Sequence, residues 1–181
     1  MSLDVLALSG SLRAGSFNTA LLRAAGELAP AGLTLTLHDY ADVPLYSEDL
    51  ERPAGVDRLV EALASADALL LAVPEYNHSV PGVLKNALDW ASRPAFRSAL
   101  RGLPTGVVSA SKSFVGGARG QQHAKTILLG MGTPVFPWPE LLVGQAHQKF
   151  DATGALTDDT TRTFLGQFME GFATWAAAQP R

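Results

Sequence analysis

The segment from Gly10 to Asn18 (GSLRAGSFN) has the residue types and spacing of a loop that binds a phosphate group. The hydroxyl groups of Ser11 and Ser16 and the amide of Asn18 can donate hydrogen bonds, and Arg13 adds a charge-assisted bond, about twice as strong as a neutral one. The first N–H groups of a helix beginning here would attract the same anion. The pattern predicts a phosphate site; an ordinary strand-to-helix turn with Ser16 as N-cap is the alternative.

Two common phosphate-binding motifs are absent from this segment. The spacing of Gly10 and Gly15 is that of a P-loop, but Ser16 and Phe17 stand where a P-loop has its lysine and hydroxyl residue. The dinucleotide fingerprint G-x-G-x-x-G is absent as well. The segment therefore matches neither a P-loop nor a dinucleotide fingerprint.

A second polar segment, Pro74 to Trp90 (PEYNHSVPGVLKNALDW), follows directly on the most hydrophobic run of the chain, ALLLAVP. Polar residues at the carboxyl end of a central strand indicate a ligand site. Tyr76 offers a flat face, and the backbone from Glu75 to His78 offers donors and acceptors to the edge of a planar heterocycle. The alternatives are a packing role for Tyr76 and an ordinary loop histidine at His78.

A third segment, Ser109 to Gly120 (SASKSFVGGARG), is rich in serine and glycine. Gly116 and Gly117 would permit close approach to a flat ligand. A flexible surface loop is the alternative, and it becomes weaker when three successive strand ends all bear small, donor-rich residues. The four histidines show no metal-ligand spacing, so no metal site is expected.

Short apolar runs and longer segments with helical spacing alternate along the chain, with about five repeats of the pair. The predicted strands are 3–9, 33–40, 68–74, 106–110 and 133–136, and the predicted helices are 17–29, 56–66, 82–91, 120–130 and 157–178. Such alternation predicts a single α/β domain over residues 1–181, with a parallel sheet and helices on both faces. The length favours a flavodoxin-like three-layer sandwich with strand order 2-1-3-4-5 over a six-stranded dinucleotide fold.

Composition excludes several classes of protein. The chain has 181 residues, 47% of them hydrophobic, a formal net charge of −3 and no cysteine. A disordered chain, a disulfide scaffold, thiol catalysis and cysteine metal sites are thereby excluded. With no basic block and no membrane-length apolar run, neither a nucleic acid nor a membrane is expected as partner. The start of the chain lacks the basic region of a secretory signal, and a cytoplasmic location is expected.

The three loops together resemble the NADPH-dependent FMN reductase family, which includes flavin, quinone, azo-dye and chromate reductases. The resemblance extends over nearly the whole chain, and PEYN-S-PG-LKNA-DW is its most specific part. It implies noncovalent FMN binding, NADPH or NADH as co-substrate, and a homodimer or homotetramer. One departure is that Ala124 and Lys125 stand where the family often has leucine and arginine, which weakens any interface or nucleotide contact expected from that helix.

The resemblance also implies which residues bind FMN. One group matches the phosphate loop, with Phe17 acting through its backbone, a second lies along the isoalloxazine ring, and a third belongs to the other ring-facing loop. These are Ser11, Arg13, Ser16, Phe17 and Asn18; Pro74, Glu75, Tyr76, Asn77 and His78; and Ser109, Ser111 and Gly116. No catalytic side chain is predicted, because the cofactor supplies the reactive chemistry.

The implied function is an NAD(P)H-dependent FMN oxidoreductase that passes electrons to a small acceptor such as a quinone, free flavin, azo dye or chromate. One alternative is a flavodoxin-type electron carrier, although Arg13 and the modest net charge argue against it. Another is a phosphate-binding α/β domain without flavin. The segment Pro134–Glu140 (PVFPWPE) is interpreted as a packed loop after the last strand, with an oligomer contact through Trp138 as a second hypothesis.

Overall fold

The computed structural model describes residues 2–180 of the chain. Five strands alternate with five helices. They are β1 (Leu3–Ser9), α1 (Phe17–Glu27), β2 (Leu33–Leu37), α2 (Ala54–Ser65), β3 (Ala68–Ala72), α3 (Gly82–Ala91), β4 (Thr105–Ala110), α4 (Ala118–Gly130), β5 (Leu141–Val143) and α5 (Asp159–Ala177), with a 3₁₀ turn at Ala146–Gln148 before α5. No helix within the described residues is both long and apolar enough to cross a membrane.

The strands form one parallel sheet in the order β2-β1-β3-β4-β5. This confirms the predicted flavodoxin-like order. Strand β3 is buried along its whole length, as expected for a central strand covered on both faces. The carboxyl ends of β1, β3 and β4 consequently meet at one edge of the sheet.

Each face of the sheet packs against its own layer of helices. Because side chains alternate along a strand, Leu70 joins the core beneath α1 and α5, whereas Leu69 and Leu71 join the core beneath α2, α3 and α4. The predicted three-layer sandwich is confirmed. Helix α1 begins at Phe17 as predicted, and the side chain of its N-cap, Ser16, accepts a hydrogen bond from the N–H of Thr19. Helix α5 begins at Asp159 and not at 157, because the N-cap is Asp158, whose side chain accepts from the N–H of Thr161.

The fifth strand lies elsewhere than predicted. Residues 133–136 were expected to form it, but the strand that pairs with β4 is Leu141–Val143. Val135 forms only an isolated bridge with Thr105. Proline at positions 134, 137 and 139 removes the N–H donors that a longer ladder would need, so regular pairing begins only after the last of them. The segment 134–140 therefore precedes the last strand.

Strand β2 is also shorter than predicted, ending at Leu37 and not at Tyr40. Tyr40 turns inward, is almost completely buried, and donates a hydrogen bond of 2.5 Å from its hydroxyl to the carbonyl of Ser9. This bond fixes the segment after β2 against the end of β1.

Candidate functional site

A hollow of about 450 Å³ lies at the carboxyl ends of β1, β3 and β4. We call it the inner hollow. It is lined by Ser11, Arg13, Ser16, Phe17, Asn18, Pro74, Glu75, Tyr76, Ala110, Ser111 and Lys112. Ligands of doubly wound sheets bind at this edge, beside the point where the strand order reverses, which here lies between β1 and β3.

The loop after β1 forms the wall with donors. The first hydrogen bond within α1 joins the N–H of Ala20 to the carbonyl of Ser16, so the N–H groups of Phe17 and Asn18 precede it and are available to a ligand. The guanidinium carbon of Arg13 lies 6.0 Å from the centre of the Phe17 ring. Within residues 2–180 Arg13 forms no ion pair, so its charge is available to an anion.

Asn18 fixes this wall to the end of β4. Its side-chain amide donates to the carbonyl of Ala110 at 2.8 Å and accepts from the N–H of Ala110 at 3.0 Å. Asn18 is only 4% exposed. The amide therefore holds the first turn of α1 at a fixed distance from β4, and both of its functions are already in use.

The loop after β3 forms the second wall and packs tightly against the first. A Cβ atom on Gly10 would lie 2.8 Å from Cδ of Pro74, so only glycine permits this approach. The hydroxyl of Tyr76 donates a hydrogen bond of 3.3 Å to Oγ of Ser11. Tyr76 nevertheless remains 49% exposed and presents its ring at the mouth of the inner hollow.

Glu75 ties the same loop to α4. Its carboxylate accepts hydrogen bonds from the side chain and the backbone N–H of Arg119, at 3.1 and 3.0 Å. Desolvation alone would raise the pKa of Glu75, but the bonds from Arg119 and from the N–H of Gly120 outweigh it and hold the pKa below its usual value. Glu75 is thus an anion near neutral pH, and its charge is compensated within the chain.

A larger hollow, of about 580 Å³, lies at the opposite end of the sheet, between the ends of α3 and α4. It includes Phe96, Arg101 and Leu129. This is the amino end of the strands, where doubly wound sheets do not bind their ligands. Among the described residues, no group of three or more histidines and acidic residues is placed to hold a metal ion.

The family model described as NADPH-dependent FMN reductase matches residues 3–148. The chain is 42% identical over 176 residues to an NAD(P)H-dependent FMN reductase of Pseudomonas aeruginosa, covering 96% of this chain and 95% of that one. It is 42% identical over 175 residues to a quinone reductase of Pseudomonas putida, with coverage of 95% and 94%. This chain belongs to the NADPH-dependent FMN reductase family.

A solved structure agrees with the assignment. FerB, a flavoenzyme NAD(P)H:(acceptor) oxidoreductase from Paracoccus denitrificans, superposes with a TM-score of 0.90 at 36% identity, covering 98% of both chains. The predicted oxidoreductase activity, with FMN and a nicotinamide as cofactors, is confirmed at the level of the family. These relatives are named as reductases or oxidoreductases, and none of these names favours the electron-carrier alternative.

In this family member, most of the predicted flavin-binding residues line the inner hollow. Those that do are Ser11, Arg13, Ser16, Phe17, Asn18, Pro74, Glu75, Tyr76 and Ser111. Asn77 and His78 lie beyond the rim, in a tight turn closed by two hydrogen bonds between the backbones of Tyr76 and Ser79. Both have positive φ, and the His78 side chain is 74% exposed. A flavin contact through their backbone stays a prediction.

Ser109 and Gly116 also lie outside the lining. The buried hydroxyl of Ser109 donates to the carbonyl of Gly116 at 2.5 Å and accepts from the side chain of Gln121 at 2.8 Å. Gly116 has a φ of +66°, and a Cβ there would lie 2.9 Å from the carbonyl carbon of Leu142. Both residues shape the loop after β4 from within, and their direct contact with a flavin stays a prediction.

Two lining residues, Ala110 and Lys112, were missed by the sequence reasoning. Lys112 is exposed and forms no ion pair within residues 2–180, so it adds a second free cation to the inner hollow. Lys112 lies in the third polar loop, between two serines, and its positive charge was the feature of the sequence that could have marked it as a lining residue. The direction in which it points depends on the path of the loop after β4.

Proposed function

We propose that the inner hollow binds FMN, with its phosphate at the loop after β1 and its ring between the loops after β3 and β4. The observation that supports this is the shared hollow, in which Arg13 and the first N–H groups of α1 face the loops at Tyr76 and Ser111. The donor set fits a phosphomonoester, because it combines a free guanidinium, two serine hydroxyls and a helix N-terminus. The residues present therefore fit the cofactor of the family.

When bound, FMN supplies the hydride chemistry, accepting a hydride from a nicotinamide and passing electrons to an acceptor. The chain's own task is to bind and to orient. Arg13 compensates the phosphate charge, the Asn18 bridge holds α1 against β4, and the bond between Tyr76 and Ser11 holds the two walls together. No side chain is needed as a general acid or base.

We further propose a small quinone as electron acceptor. The support comes from the relatives, which include the quinone reductase of Pseudomonas putida and, at 37% identity, a 2-hydroxy-1,4-benzoquinone reductase of a Burkholderia species. The half-exposed ring of Tyr76 at the mouth of the inner hollow is compatible with a planar acceptor that arrives from solvent.

The test is spectroscopic and kinetic. Purified protein is titrated with FMN and followed by absorbance and fluorescence, and oxidation of NADPH and of NADH is then measured with 1,4-benzoquinone. The expected result is saturable FMN binding and nucleotide oxidation that requires FMN, protein and quinone together. Absence of FMN binding, or of turnover with either nucleotide, would overturn the proposal; turnover with free flavin or azo dye but not with quinone would overturn the acceptor class.

We also propose a homodimer or homotetramer acting in the cytoplasm, where nicotinamide co-substrates are available. Trp138 is 75% exposed and follows two prolines in the rigid segment 134–140. Exposed large aromatic groups of this kind are common at subunit contacts. Light scattering of the wild type and of Trp138→Ser tests the contact. If the substitution leaves the mass of the assembly unchanged, Trp138 does not contribute to the subunit interface. Cell fractionation that finds the protein outside the cytoplasm would contradict the location.

A further inference from the structure

A second hollow, of about 300 Å³, lies on the other side of Arg13, between the ends of β1 and β2 and the outer face of α1. We call it the outer hollow. It is lined by Ser9, Ser11, Leu12, Arg13, Ala14, Thr19, Arg23, Leu37, His38, Asp39, Tyr40 and Ala41. It shares Ser11 and Arg13 with the inner hollow, so a ligand that extends over this ridge would contact both. Its volume is at the lower end of the range for small-molecule sites.

The outer hollow has two cationic side chains whose charges are uncompensated. Arg23 lies one helical turn after Thr19 on α1, and both face the outer hollow. Within the part of the chain that the structure describes, neither Arg13 nor Arg23 forms an ion pair. Because Arg13 is assigned to the FMN phosphate in the inner hollow, Arg23 is the cation that remains for an anion in the outer one, and a guanidinium group binds a phosphate well.

The opposite wall has one acid, Asp39, directly after the end of β2. One of its oxygens accepts the N–H of Ala41 at 2.9 Å, which fixes the orientation of the carboxylate and leaves its other oxygen available. The neighbouring His38 adds no cation near neutral pH, because burial lowers its pKa. The remaining titratable group, Tyr40, has its buried hydroxyl bonded to Ser9. With Arg13 paired with the FMN phosphate, Arg23 and Asp39 are the two charged side chains that line the outer hollow.

In the dinucleotide-binding fold that has the glycine fingerprint, which this chain lacks, the adenosine ribose is read at the end of the second strand. An acid there accepts a hydrogen bond from the ribose 2′-hydroxyl of NAD, and a nearby arginine accommodates the 2′-phosphate of NADP. The outer hollow presents both kinds of side chain at this position. The inner hollow already has its own donors for the FMN phosphate, so Arg23 is not needed there.

We propose that the outer hollow binds the adenosine ribose of the nicotinamide co-substrate, with Arg23 pairing with the 2′-phosphate of NADPH and Asp39 accepting the 2′-hydroxyl of NADH. The inference rests on the proposed function, because it assigns the far half of a nucleotide whose nicotinamide would meet a flavin in the inner hollow. It predicts that one site accepts both nucleotides, and that Arg23 and Asp39 shift the preference in opposite directions.

Binding of two fragments tests the site without turnover. Adenosine 2′,5′-bisphosphate and AMP differ only in the 2′-phosphate, and each is titrated by calorimetry into the FMN-loaded protein. Arg23→Gln should weaken bisphosphate binding by about tenfold, which is the value of one charge-assisted bond, and leave AMP binding within about twofold. Asp39→Asn should weaken AMP binding by several-fold and strengthen bisphosphate binding.

Two further variants sharpen the assignment. Arg23→Lys keeps the charge, so it should retain more bisphosphate affinity than Arg23→Gln does. Arg97→Gln is the matched control, because Arg97 is an exposed arginine without an ion pair in residues 2–180, before β4 at the opposite end of the sheet. It should change neither affinity.

Kinetics separate this inference from the proposed function. For Arg23→Gln, the ratio of kcat/KM for NADPH to that for NADH should fall about tenfold, with FMN affinity and NADH oxidation retained. If the wild type binds no FMN or oxidises neither nucleotide, the proposed function fails. If both activities are present but bisphosphate binds no better than AMP, or Arg23→Gln leaves the ratio unchanged, the outer-hollow assignment alone is overturned.

Discussion

The loops after β1 and after β4 have similar compositions, rich in serine and glycine, yet their side chains do different work. In the β1 loop, Ser11, Arg13 and Ser16 all face the inner hollow, and Arg13 forms no ion pair within the described residues. At the end of β4, the buried Ser109 is bonded to Gly116 of the loop that follows, whereas Ser111 of that loop lines the inner hollow. Similar residue types thus all face the hollow in the β1 loop, but are divided between the hollow and internal support at the end of β4.

The difference follows from how each loop leaves the sheet. The β1 loop leads directly into α1, so its donors collect around a helix N-terminus that points at the inner hollow. The β4 loop must pass over β5 before α4 begins, and there Gly116 packs against the backbone of Leu142. A change at Arg13 in the β1 loop should therefore affect ligand affinity, whereas a change at Gly116 in the β4 loop should affect stability. Asn18 joins the two loops.

Removing the Asn18 bridge between α1 and β4 should have the largest effect on stability. Asn18→Ala leaves the buried N–H and carbonyl of Ala110 without partners, and should lower the free energy of unfolding by roughly 2–4 kcal/mol. Urea unfolding of the FMN-free protein measures this. Gln122→Ala, at an exposed position on α4, is the control and should stay within about 0.5 kcal/mol of the wild type. A loss below about 1 kcal/mol for Asn18→Ala would show that the bridge is not needed.

Gly116→Ala tests the supporting role of the β4 loop. The substitution forces a side chain into left-handed backbone and against Leu142, at a cost of about 1–3 kcal/mol of stability. If Gly116 acts only as a support, FMN affinity of the folded protein should stay within about twofold, whereas a direct contact of Gly116 with the flavin would lower it further. Gly102→Ala is a matched control, because Gly102 also has a positive φ, of +74°, but has open space around it. A smaller loss at Gly116 than at Gly102 would contradict the packing argument.

Arg13→Gln tests the binding role of the β1 loop. Loss of one charge-assisted bond to a phosphate should weaken FMN binding by about tenfold to a hundredfold. The melting temperature of the FMN-free protein should hardly change, because Arg13 has no ion pair to lose. Fluorescence titration measures the affinity, with Arg97→Gln as control. If Arg13→Gln lowered stability strongly but left FMN affinity unchanged, the β1 loop would have the supporting role and not the binding role.

The pH dependence at Glu75 should be the smallest effect. Its pKa in the folded protein is lowered, so its stabilising contribution is present above the usual value of 4.5 and is lost as the pH falls through the folded value. Glu75→Gln should therefore flatten the fall in melting temperature below that pH. The change in stability is modest because Arg119, the partner of Glu75, is half exposed, and solvent screens the ion pair. Glu61→Gln, at an exposed and unpaired position, is the control; parallel curves for wild type and Glu75→Gln would exclude the effect.

Much of the fold follows from short-range patterns. The apolar run at 68–74 predicted the buried strand β3, and alternation of strands and helices predicted the layers. Of the two boundaries that failed, one depended on a distant contact and the other on local prolines. Tyr40 leaves the line of β2 because its hydroxyl reaches Ser9, and β5 begins after Pro139 because three prolines interrupt the earlier run.

The residues of the site also divide into those that the local sequence predicted and those that depend on distant contacts. The position of the β1 loop at the hollow was predictable, because the free N–H groups at a helix N-terminus point along the helix axis toward whatever lies in front of it. The β4 loop was not, because whether Ser109 faces a ligand or Gly116 depends on the position of β5. The charge of Lys112 was a local signal, but the direction of its side chain was not, and the outer hollow around Arg23 has no signal in the local sequence.

The sequence by itself indicated the sheet order and the three polar loops at the strand ends, because periodicity and turn chemistry act over a few residues at a time, and the motifs in those loops identified the family by resemblance. Only the tertiary structure decided which of those loop residues face the inner hollow and that Arg23 and Asp39 face each other across the outer one. The physical reason is that a contact between segments far apart in the chain depends on the packing of every element between them.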